Sequence, residues 1–212
     1  MLRVVIRKIR SMISGIERAH IPVLRLEGVI GGKGYGKKGL CLDSIKKGLE
    51  EAFDFDKKSK LVILVINSPG GSPAQSSLIY KYLCHLKKKY EKKLIVLVED
   101  VAASGGYYIA CAADEIYADD HSITGSIGVV SSGFGFVKAI DKIGIERRVH
   151  TSGENKSILD PFSEEKAEDI AHLKAIQSDI HDVFKNVVKE RRGEKLVDVE
   201  KNEIFTGKFW AA

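Results

Sequence analysis

From residue 22 onward the chain alternates short apolar runs with stretches whose apolar residues recur every three or four positions. Val23–Ile30 reads as a strand and Leu42–Phe53 as a short helix. Leu61–Ile66 (LVILVI) is a β-branched run suited to a buried strand, and a helix is expected from Pro73 to Lys89. A second buried strand is Leu94–Val98, followed by an apolar helix reaching Ala113. Short strands at Ile116–Ala118 and Ile127–Val130 flank a Thr-Gly-Ser turn. A helix at Phe134–Ile143, a strand at Glu146–Val149 and a long helix from Ser163 to Arg192 complete the order. Strands alternating with helices predict an α/β fold with a largely parallel sheet. No linker divides the sequence, so residues 21–212 are expected to form one domain.

Twice the pattern runs from a buried strand through small residues ending in Gly-Gly and into a helix. The turns are Asn67-Ser68-Pro69-Gly70-Gly71 and Ala102-Ala103-Ser104-Gly105-Gly106. Glycine allows a sharp turn and close backbone approach. A helix N-terminus adds free N–H donors. Two such turns on neighbouring strands could aim two donors at one oxygen, as an oxyanion hole requires. Ser104, at the second corner, is placed as a nucleophile would be, and equally as a helix N-cap. Its base could be a histidine, of which the chain has six, or a lysine kept neutral by burial. Spacing alone does not choose between them.

The first twenty residues form a separate segment. Leu2, Val5, Ile6, Ile9, Met12, Ile13 and Ile16 recur at helical spacing between basic residues. Five basic residues there face one glutamate, so nearly all of the net charge of +5 resides in this segment. The longest apolar run is Val4–Ile6, too short for a cleavable signal peptide. A basic amphipathic helix fits two settings: docked on protein, or lying on an anionic membrane surface.

Composition narrows the classes. With 44% hydrophobic and 30% charged residues in 212, the chain is ordinary globular protein. No run approaches the roughly 18 apolar residues of a membrane span. Three cysteines without a CxxC pair suggest neither a disulfide framework nor a zinc site. Outside the first twenty residues the charge is nearly balanced, which argues against nucleic acid as a partner. Gly34–Gly39 matches GxGxxG, but its three glycines and two lysines read as a loop, and no acidic residue ends the next strand as a dinucleotide site needs. No cofactor is expected.

The segments INSPGGSPAQS (66–76), VAASGGYYIACAADEIYAD (101–119) and TGSIGV (124–129) resemble the bacterial signal peptide peptidase A family, including its SohB-type members. SGENKS (152–157), LDPFSEEK (159–166) and FTGKF (205–209) extend the resemblance from about residue 21 to the end. It implies a serine peptidase on the ClpP/crotonase fold. By that resemblance Ser104 is the nucleophile and Lys156, 52 residues on, the general base. The N–H groups of Gly71 and Gly105 would be the oxyanion donors, and Ser126 would help orient the lysine. It further implies extended peptide substrates such as signal-peptide remnants, a homo-oligomer with sites at subunit contacts, and association with the bacterial inner membrane, a soluble cytoplasmic protein being the alternative. Asn155 stands where members often have an aromatic residue before the lysine. Members often carry an N-terminal membrane segment and continue beyond FTGKF, so a chain shortened at its C-terminus is expected. A crotonase-type acyl-CoA enzyme, a Ser-His-Asp peptidase and a catalytically silent scaffold are the rival readings.

Overall fold

The computed structural model describes residues 20–31 and 39–212. The basic amphipathic segment and most of the GxGxxG stretch lie outside them. Inter-residue contacts divide the chain into two compact units: one ends at Gly128 and resumes at Phe184, and the other comprises Val129–Val183.

The larger unit is built on a mostly parallel sheet. Its strands are β1 (Val23–Glu27), β2 (Leu61–Ser68), β3 (Lys93–Ala103), β4 (Glu115–Ala118), β5 (Ile123–Gly125) and β6 (Phe209–Ala211). The order is β1-β2-β3-β5-β6, with β4 also paired to β3. Every pairing is parallel except that of β6 with β5. Helices α1 (Leu42–Asp54), α2 (Pro73–Tyr90) and the short α3 (Gly105–Ala110) make the connections. This mixed architecture is the ClpP/crotonase-like fold expected from the sequence.

Local chemistry explains the helix limits. Ser72 caps α2 by accepting the Gln75 N–H at 3.4 Å, and Pro73 opens the helix where a missing N–H costs nothing. Glu91 closes α2 in the left-handed region at φ 52°, its N–H returning to the Lys87 carbonyl. Leu24, Leu26, Val62, Leu64, Leu94 and Val96 project from the sheet into a core shared with Leu49 and Phe53 of α1 and Ile79 and Leu83 of α2. Phe184 and Val188 join it from the end of α5 (Ala167–Arg192). Phe53 is wholly buried. Phe53→Ala should therefore cost about 3–5 kcal/mol, read in a thermal melt as a fall on the order of 10 °C. A shift within a degree would mean this core closes over the gap.

Two expected strands do not form. Strand β5 ends at Gly125, because Gly125 and Ser126 both take positive φ and turn the chain before Ile127. Residues 146–149 find no partner strand. Their charges pair locally instead, Arg147 with Asp160 at 3.0 Å and Arg148 with Glu146 at 2.6 Å. Their unit carries α4 (Val137–Lys142), most of α5 and a stacked Phe136–Phe162 pair, with no buried residue of its own.

Candidate active site

At the end of β3 the backbone of Ser104 adopts φ 50° and ψ −121°, a conformation L-residues avoid. Three contacts enforce it. The Ser104 N–H donates to the Gly125 carbonyl at 2.9 Å, and its carbonyl accepts the Tyr108 N–H at 2.9 Å. Gly70 presses from the neighbouring turn so closely that an added Cβ would lie 2.8 Å from the Ser104 Cβ. Strain of this kind persists only where the surroundings over-determine it, and it clusters at functional sites. Ser104 holds the N-cap position of α3, yet its hydroxyl does not cap the helix. The side chain is half-buried at the corner.

The turn after β2 is built to fit against that corner. Ser68 Oγ donates to the Gly28 carbonyl at 2.7 Å and accepts the Gly70 N–H at 3.2 Å. Ile30 clamps the other side: its N–H donates to the Gly70 carbonyl at 2.8 Å, and its carbonyl accepts the Ser72 N–H at 2.9 Å. Gly71 sits at φ 143°, where an added Cβ would lie 2.1 Å from the Ile30 oxygen. On the second turn, a Cβ on Gly105 would lie 2.3 Å from Ser76 Oγ and 3.4 Å from the Gly70 Cα. Only glycine permits this approach. Neither the Gly71 nor the Gly105 N–H donates to an acceptor among the described residues. For Gly105 the reason is general, since the first N–H groups of a helix have no intrahelical partner.

Ser126 follows the carbonyl that holds Ser104. It stands at φ 53° with its N–H bonded to the Lys208 carbonyl at 2.7 Å, just before β6. Beside it Trp210 covers Gly125, and a cavity of about 420 Å³ opens among Tyr107, Thr124, Ile127, Arg192 and Trp210. Burial pushes the Tyr107 phenol up to about 12, with Cys111 adding to the rise and Arg192 opposing it. The phenol thus stays neutral across the physiological range.

Ser104, Gly71, Gly105 and Ser126 all belong to the larger unit, whereas Lys156 belongs to the Val129–Val183 unit. Lys156 lies on an exposed turn, its N–H donating to the Gly153 carbonyl at 3.2 Å. The sequence reading missed Ile30, Ser68 and Trp210. Ile30 and Trp210 act through long-range contacts that local pattern cannot report. Ser68 carried a signal, being a hydroxyl at the end of an apolar strand.

Comparison with known proteins places this geometry in a family. Residues 86–211, more than half of the chain, match the family model described as Peptidase family S49. The chain is 35% identical over 159 residues to the chloroplastic serine protease SPPA of Arabidopsis thaliana, covering 72% of this chain and 23% of that protein. It is 33% identical over 192 residues to Protease 4 of Haemophilus influenzae, covering 90% and 30% respectively. It is also 51% identical over 210 residues to a protein of Brucella melitensis named Na(+)/H(+) antiporter NhaA, covering 98% of this chain but 27% of that one. The chain therefore spans between about a quarter and a third of these relatives. Among its described residues no helix is long and apolar enough to cross a membrane. With the paired glycine turns, the strained Ser104 corner and the parallel sheet on which they stand, the match shows that the chain belongs to peptidase family S49.

Proposed function

We propose that the chain is a serine endopeptidase in which Ser104 is the nucleophile and Lys156 the general base. The observation that carries this is the Ser104 corner, a strained, non-capping serine held between two glycine turns. Neutral Lys156 takes the proton from Ser104 Oγ as the oxygen attacks the peptide carbonyl. The Gly71 and Gly105 N–H groups hold the resulting oxyanion. The C–N bond then breaks, Lys156 returns its proton to the leaving amine, and it activates a water that releases the acyl group from Ser104. Ser126 positions the lysine. The substrates are extended peptides, such as cleaved signal peptides and other unfolded or membrane-released segments, lying beside the turns.

Lys156 is exposed on the isolated chain, and a lysine base needs desolvation to be neutral near pH 7. Its unit also displays Val130, Phe134, Ile143 and Ile145, each more than half exposed. Both facts favour a homo-oligomer with its sites at subunit contacts.

Labelling with a fluorophosphonate probe tests the assignment. The parent should label near pH 8, and Ser104→Ala should not. Lys156→Ala should slow labelling by about 10³-fold, the scale of a lost general base. A folded, assembled parent that fails to label would overturn the peptidase assignment in favour of a silent scaffold.

A further inference from the structure

Among the described residues of the larger unit, helices pack on one face of its sheet. Along β2 and β3, up to Val98, the residues turned toward the helices are buried in strict alternation with residues that are not. On the opposite face the strand registers align Val23, Ile63 and Ile95 in one row and Val65, Leu97 and Tyr117 in the next. All six are at least partly accessible, Leu97 at 37% and Tyr117 at 54%. Parallel sheets occur almost only with both faces covered, so this apolar surface calls for an occupant. At its rim Glu115 flanks the first row and Glu27 and Glu99 lie toward the strand ends, with Arg25, in register with Val65, paired to both of these and Lys93 opposite Leu61.

We propose that the occupant is the chain's own segment 1–19, its apolar positions against the two rows and its basic residues toward the glutamates of the rim. Three observations support this. The segment is attached at the right place: the Pro22 carbonyl accepts the Ile63 N–H where the chain enters β1, the strand at the sheet edge. Its size is right, since nineteen residues at helical rise span about 28 Å and the eight residues of β2 about 26 Å. Its charge has the right sign, since the segment is strongly basic and the rim, with Glu27, Glu99 and Glu115 against Arg25 and Lys93, carries one net negative charge. Lipid as the sole partner of the segment would leave the two apolar rows in water.

The test uses the full chain with benzoylphenylalanine in place of Tyr117, irradiated and mapped by mass spectrometry. The expected adducts join position 117 to residues 1–19 of the same chain, without an increase in mass on a denaturing gel. Adding Ile9→Glu and Ile13→Glu should cut their yield several-fold while circular dichroism stays unchanged. Adducts between two chains would overturn the proposal in favour of a second copy. Absence of adducts, with co-sedimentation on phosphatidylglycerol vesicles that Ile9→Glu and Ile13→Glu abolish, would overturn it in favour of a membrane.

Discussion

Ser104→Gly should abolish peptide hydrolysis and at the same time raise the melting temperature. The two effects share one cause. Ser104 is held at φ 50°, ψ −121°, where an L-residue pays strain of about 1–3 kcal/mol. Glycine adopts that backbone freely, and its greater unfolded-state entropy returns only about 0.5–1 kcal/mol of the gain. The net is about 1 kcal/mol of stability, an increase of about 2–4 °C for a chain of this size. Loss of the proposed nucleophile should lower turnover by 10⁴-fold or more, about the scale for residues that form the covalent intermediate. Ser104→Ala separates the terms, because alanine keeps the strain: activity should vanish with the melting temperature unchanged. Retained turnover in either variant would refute Ser104 as nucleophile. A lower melting temperature for Ser104→Gly would refute the strain.

Gly71→Ala should damage both stability and turnover. Its Cβ would lie 2.1 Å from the Ile30 oxygen and 2.8 Å from the Ile30 nitrogen, both main-chain atoms fixed by hydrogen bonds to this same turn. No side-chain rotation relieves that clash, so the turn must move. The φ of 143° adds backbone strain for any L-residue. A loss of about 3 kcal/mol in denaturant unfolding is expected, near the upper end for one substitution. In the proposed mechanism the Gly71 N–H would shift away from the reacting carbonyl, so kcat should fall about 10²–10³-fold, the scale for one oxyanion donor. Gly144→Ala is the control. It also has positive φ, at 68°, but an added Cβ meets nothing within 4 Å, so it should cost stability with little change in kcat. Equal behaviour of the two variants would mean that Gly71 serves backbone conformation alone.

Much of this architecture is legible before any coordinates. LVILVI and LIVLV announce β2 and β3 because β-branched runs of that length fit few other environments, and the helix expected from about Pro73 is α2. The Ser104 corner and its partner turn are legible for the same local reason: small residues between a strand and a helix can do little but turn sharply. The strand expected at Ile127–Val130 failed because apolar content alone does not register two consecutive positive-φ residues. The one expected at Glu146–Val149 failed because a strand needs a partner, which pairing decides and composition does not.

What the sequence determined by itself is therefore the set of elements, the α/β class and the chemical identity of the residues at the corner, all consequences of contacts within a few positions. Tertiary structure alone decided how the two glycine turns interlock through Ile30, how Trp210 comes to cover Gly125 from the far end of the chain, and that Ser104 and Lys156 fall in different compact units. It also decided that the continuous apolar run of β2 alternates between buried and partly accessible residues. Each of these depends on which distant segments meet, and a one-dimensional pattern of apolar and polar residues states how much surface must be covered without naming what covers it.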